Sequence, residues 1–186
     1  MRTVANLLLI ICLVVVVTGC ESRTDRTDGG GVLLSITDFD GLPIAASVSG
    51  TLATGGFLQI GEVIVSNVAK NPVGTTSDLM NVEIISYEVT YSRADAGTRV
   101  PTRYTRGLFG VVPVNGSFTV ENLPVLSSDQ LNSLPLSDLK PSNGGVDKET
   151  GQSKIVLNLA VRFFGRTLSG NAVETAPALF TVEFTP

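Results

Sequence analysis

The chain has 186 residues and a mass of 19.5 kDa, with 13 basic and 17 acidic residues, 43% of its residues hydrophobic and 16% charged. That length fits one domain of ordinary size, and the balance excludes a disordered acidic tail and a basic nucleic-acid binder. Histidine and tryptophan are absent, which removes His-based triads, most zinc sites and imidazole pH switches.

The first segment, residues 1–19, opens with Arg2 and carries an unbroken run of eleven apolar residues from Leu7 to Val17. As a helix the run rises only about 16 Å, at about 1.5 Å per residue. A bilayer core is about 30 Å thick, so the run is too short to span it and has the length of a signal-peptide core. Val17-Thr18-Gly19-Cys20 follows directly. This tetrad resembles the lipobox of bacterial lipoproteins, and the alternative is an ordinary secretory signal with an incidental cysteine. The resemblance implies cleavage before Cys20, a diacylglycerol on its sulfur and an acylated new N-terminus. Two or more acyl chains hold a protein firmly to its membrane, each buried CH2 adding about 0.8 kcal/mol. For such lipoproteins, Glu21 in place of aspartate implies outer-membrane sorting in a Gram-negative envelope. The other cysteine, Cys12, falls in the removed segment, so the mature chain is expected to have no free thiol, disulfide or thiolate metal ligand.

Residues 20–31 are the lipidated cysteine and a tether, ESRTDRTDGGG after Cys20, without an apolar residue. From residue 32 to 186 the pattern is that of strands. The expected strands in chain order are Val32–Phe39, Ala46–Leu52, Phe57–Val68, Glu83–Arg93, Gly116–Glu121, Lys154–Gly165 and Ala178–Phe184. Period-two alternation is clear in four of them, including Gly116–Glu121 with Phe118 and Val120. It sets Ile85, Tyr87, Val89 and Tyr91 on one face, then Ile155, Leu157, Leu159, Val161 and Phe163, then Phe180, Val182 and Phe184. Ser127–Leu139 breaks the pattern and reads as a crossover loop, with Ser127 or Ser128 capping a short helical turn that ends before Pro135.

About seven strands predict an all-β fold of two antiparallel sheets packed face to face. The stretch ISYEVTYSR resembles the central strand of immunoglobulin-like and fibronectin type III domains. The stretch KIVLNLAVRFFGRTLSGNAVETAPALFTVEF resembles their closing hairpin. The inter-sheet disulfide and buried tryptophan of antibody domains are absent, so the resemblance is to the broader immunoglobulin-like class. A closed barrel is the main structural rival. An odd strand number and the lipid anchor argue against an outer-membrane barrel.

Catalytic groups are scarce. Only four lysines occur, and no GxSxG elbow is present. Asp38 and Asp40, in TDFDG, are the nearest carboxylate pair for glycan hydrolysis or calcium, but Asp-Gly marks turns far more often. Asp147, Glu149 and Gly151 read as a solvated loop. No catalytic residue, metal or cofactor is expected.

One basic cluster stands out in an acidic chain: Arg93, Arg99, Arg103 and Arg106 within fourteen residues, with Tyr104 and Phe109 interleaved. Arginine with aromatics suits an interface, so Arg99, Arg103, Tyr104 and Arg106 are the candidate partner-binding residues. They would face an acidic envelope protein, an anionic glycan or a lipid head group; the plainer reading is a solubilising loop guarding a sheet edge. If Glu83–Arg93 and Lys154–Gly165 are neighbours, Glu88 and Arg162 share the outward face and can pair. The resulting expectation is a lipid-anchored envelope protein with a binding or scaffolding role. A carboxylate-based envelope glycan hydrolase and a carrier of lipophilic cargo are the alternatives.

Overall fold

Apolar side chains at every second position need a partner layer, and the chain supplies it with two sheets. The computed structural model describes residues 29–41 and 43–186; the lipobox, Cys20 and most of the tether lie outside them. Nine strands occur among the described residues: β1 (Val32–Asp40), β2 (Ala45–Ser47), β3 (Leu58–Ala69), β4 (Val82–Arg93), β5 (Tyr104–Val112), β6 (Gly116–Leu126), β7 (Ile155–Thr167), β8 (Ala172–Glu174) and β9 (Ala178–Thr185). One sheet has the order β1-β3-β6. The other has the order β2-β9-β7-β4-β5, with β8 on the far half of β7.

The sheets close on each other as a sandwich. Leu157, Leu159, Val161 and Phe163 of β7 meet Val63 and Val65 of β3 and Val120 and Leu123 of β6 in one buried core. Two tyrosines of β4 also cross the core. Tyr87 Oη donates to Pro124 O at 2.7 Å, and Tyr91 Oη donates to Val125 O at 2.6 Å, both acceptors on β6. The apolar gap lined by Ile36, Phe39, Ile60 and Phe180 is too narrow for a water molecule.

Four expectations change. The Ala46–Leu52 strand lasts only through Ser47; Ser47 Oγ then accepts from Gly50 N and caps a short helix, Val48–Ala53. β2 runs parallel to β9, not antiparallel. Ile85 leaves the face of Tyr87, because β4 shifts register between Ile84 and Ser86 and turns Val82 and Ile84 inward and Ile85 outward. Finally, β5 and β8 raise the strand number above seven.

The Ser127–Leu139 segment does carry the chain from one sheet to the other. The turn Ser128–Leu131 is tied by Ser127 N–H to Gln130 Oε1 at 2.9 Å. Leu131, Leu136 and Leu139 are buried and Leu134 is exposed.

The two ends of the sandwich differ. At one end the chain enters through Gly29–Gly31, a 3-10 turn. Gly31 O accepts from Lys70 N at 2.9 Å. Gly30 has φ +63°, and a Cβ there would meet Thr167 Cγ2 at 2.8 Å. The same end carries the connections 70–81, 113–115 and 168–171, joined by Asn67 Nδ2 to Met80 O and Val112 O and by Asn115 Oδ1 to Ala69 N. The opposite end carries the connections 48–57, 94–103 and 127–154.

Candidate functional site

The opposite end is organised around Arg93, the last residue of β4. Its side chain is 3% exposed and grips Asp95 through two bonds, Nε–Oδ1 at 2.6 Å and Nη2–Oδ2 at 3.0 Å. Nη2 also donates to Asp147 Oδ2 at 2.7 Å, and Asp147 is 1% exposed. Glu149 lies 3.9 Å from Nη1 and accepts from Thr98 Oγ1 and from Arg99 N at 3.0 Å. One guanidinium thus joins the 94–103 and 144–154 loops, its planar fork matching the carboxylates. A Cβ on Gly97 would meet Arg93 Cζ at 2.3 Å, so glycine is what lets the loop cross the guanidinium.

The electrostatics follow. Burial opposes the charge on Arg93, but the hydrogen bonds to Asp95 and Asp147 outweigh it and raise its pKa. Burial likewise opposes the Asp95 carboxylate. The bonds from Arg93 and from the Val156 and Gly97 N–H groups prevail and bring it down to about 2. Asp147 is lowered against the same burial by Arg93 and Thr150. Glu149 is lowered by Thr98 and by the Arg99 and Thr98 N–H groups. Reading Asp147 as part of a solvated loop is therefore incorrect: its carboxylate is enclosed because an arginine 54 positions earlier reaches it. The Asp95-Ala96-Gly97 turn was the sequence signal for half of this network; Asp147 had none.

The remaining arginines separate. Arg99 is exposed on the 94–103 loop, whereas Arg103 turns to the outer face and meets Glu88 Oε2 at 3.1 Å. Arg106 stands opposite Tyr87 and lines the opening between the sheets with Gln59, Glu121 and Asn122. Tyr104 is half-buried, its ring edge-on to Tyr87 at 6.2 Å. Arg93, then, is not part of an exposed cluster, and Arg103, just before β5, faces the outside of the sheet while Arg106 of β5 faces the opening between the sheets.

β5 is an edge strand, paired only with β4. On its outer face Phe109 is 75% exposed, with Val111 also exposed two residues on; Phe109 lies beside Ile85 and Gly107 in a shallow depression closed by the Glu83–Arg166 pair at 3.0 Å. On the outside of the other sheet, Asp40, Glu62 and Glu121 stand in one row across β1, β3 and β6. Asp38 and Asp40, both within β1, each accept from the next residue's N–H, at 2.9 and 2.6 Å.

The expected neighbours β4 and β7 are adjacent, with Glu88 directly opposite Arg162. Among the described residues no helix is long and apolar enough to cross a membrane, and no group of three His, Cys, Asp or Glu side chains is placed to hold a metal ion.

No family model matches the chain, and no curated protein matches it. A similar solved structure is the crystal structure of a protein from Archaeoglobus fulgidus, 13% identical, covering 85% of this chain and 97% of that one, with a TM-score of 0.36. A likeness that distant carries no argument about fold or function.

Proposed function

We propose that the chain is a lipid-anchored protein of the bacterial envelope, attached through Cys20, whose sandwich binds or scaffolds another envelope component. The observation that carries this is Val17-Thr18-Gly19-Cys20 directly behind an eleven-residue apolar core. We place the sandwich in the immunoglobulin-like class. The order β1-β3-β6 against β2-β9-β7-β4-β5, with β2 parallel to β9, supports that placement. The proposed partner-binding residues are Arg99, Arg103, Tyr104 and Arg106. The proposed partner is an acidic protein surface or an anionic glycan or lipid, and the membrane is the outer one in a Gram-negative envelope. No reaction and no cofactor form part of the proposal.

The test is the intact mass of the protein purified from membranes, beside Cys20→Ala. A chain starting at Cys20 with added acyl mass, lost in the variant, is the expected result; an unmodified Cys20 overturns the anchor. A pull-down from gently solubilised membranes with Arg99→Ala/Arg103→Ala/Arg106→Ala tests the binding residues. Undiminished recovery of a partner would overturn that role.

A further inference from the structure

At the sandwich end where the chain enters, loop tips expose apolar side chains. Val73 at the tip of the 70–81 connection is 93% exposed, Leu79 58% and Leu168 50%. Leu79 and Leu168 are held side by side, because Ser169 N donates to Leu79 O at 3.0 Å and Leu168 N to Asn81 O at 2.9 Å. Leu33 and Val68, exposed on the adjoining sheet face, are direct cross-strand partners at the same end. Five large apolar side chains therefore gather where Gly29 meets the domain.

Charged loop residues are more numerous at the other end. The connections 113–115 and 168–171 hold no charged residue, and 70–81 holds only Lys70 and Asp78. The connections 94–103 and 127–154 at the other end hold ten, although 48–57 beside them holds none. Sparsely charged loops rich in threonine, serine and asparagine, tipped with valine and leucine, suit a headgroup–acyl boundary, where polar backbone stays hydrated and apolar tips are buried.

The chain outside the described residues supplies the occupant. Nine residue steps separate Cys20 from Gly29, which at about 3.5 Å each span at most about 30 Å. With Cys20 acylated, this end is the one held near lipid. We propose that the tether end of the sandwich docks on the phospholipid surface that carries the anchor, with Val73, Leu79 and Leu168 entering the interface. The inference rests on the lipid-anchor reading. It adds an orientation: the sandwich axis stands up from the membrane, and the charged end with Arg99 points away from it.

The experiment uses the full acylated protein reconstituted at low density in phosphatidylethanolamine–phosphatidylglycerol vesicles. A polarity-sensitive fluorophore is placed at Val73→Cys or, as the far-end control, at Val146→Cys. The expected result is a blue-shifted label at 73, quenched several-fold more by nitroxide-bearing lipid than the label at 146. Adding Leu79→Ser/Leu168→Ser is expected to abolish that difference while the protein still floats with the vesicles. Equal quenching at the two positions in floating protein overturns the docking alone. Quenching at 73 that appears only at high protein density assigns the patch to contact between copies and also overturns it. Protein that fails to float overturns the anchor reading, and the docking with it.

Discussion

Glu88 stands directly across from Arg162, yet neither takes the other as its ion-pair partner: Glu88 meets Arg103 at 3.1 Å and Arg162 meets Glu174 at 3.7 Å. The outer face thus alternates in sign from Arg103 through Glu88 and Arg162 to Glu174. Glu88→Lys is expected to lower stability by roughly 0.2–1 kcal/mol, as like charges facing each other across strands do. Because these groups are partly solvated, the loss should shrink in 1 M salt, where the screening length falls to about 3 Å. Urea unfolding at two salt concentrations measures it, and a salt-independent loss would count against the charge row.

Arg93 is a different kind of pair. Removing it leaves Asp147 enclosed without its cation, and breaking a buried pair in this way costs about 3–5 kcal/mol. Arg93→Leu is expected to fall in that range by chemical denaturation. Arg93→Lys should recover only part, since an ammonium cannot reproduce the fork onto Asp95. A change below 1 kcal/mol in Arg93→Leu would show that the network contributes little.

The same network sets the acid limb of stability. Asp95, Asp147 and Glu149 all have carboxyl groups lowered in the folded state, Asp95 to about 2. A lowered carboxyl stabilises the fold above its unfolded pKa, about 4, and that stabilisation is lost as pH falls through the folded value. Stability should therefore decline between about pH 4 and pH 2. In Arg93→Leu the decline should be shallower, because the arginine is the shared cause of the Asp95 and Asp147 shifts. Thermal unfolding between pH 2 and pH 6 tests both; parallel curves for the two proteins would refute the linkage.

Tyr87→Phe and Tyr91→Phe each remove one hydrogen bond between the sheets. The expected cost is about 1–2 kcal/mol each, since a buried carbonyl loses its donor. Tyr91→Phe should cost more, because Tyr91 Oη also accepts from Gln130 Nε2 at 3.1 Å. Equal and negligible losses would mean water replaces both hydroxyls.

Gly97→Ala presses a methyl into the Arg93 guanidinium. It is expected to cost about 1–3 kcal/mol as overpacking and to flatten the acid limb in the same direction as Arg93→Leu. A loss of stability with the acid limb unchanged would place the strain elsewhere.

The strands that were legible in the sequence, among them β4, β7 and β9, alternate because one face is buried and the other wet. β5 was hidden by its own composition. Arg106, Gly107 and Gly110 interrupt the alternation, and as an edge strand it needs less apolar surface than a central one. The inversion at Ile85 was invisible because a register shift depends on two neighbouring strands and leaves no local signature. The arginine cluster was legible as a composition, but its division was not. Arg93 is claimed by carboxylates on a loop far along the chain, while Arg103 and Arg106 are parted by the odd step between them, which turns Arg103 to the outside of the sheet and Arg106 to the opening between the sheets. The apolar tips Val73 and Leu168 carry no signal in the sequence, because single apolar residues among glycine and serine look like ordinary loops until the fold brings them together.

β2 runs parallel to Glu183–Thr185 of β9, with Glu183 N donating to Ile44 O at 2.9 Å and Ser47 Oγ to Pro186 O at 2.6 Å. The chain enters at one end of the sandwich and leaves at the other. A pull between the amino-terminal side and the carboxyl terminus would drag these two strands past each other along their length. Their hydrogen bonds would then be strained together, in shear, instead of opening one at a time like a zip. Such a pull would load the three paired positions of β2 and β9 together.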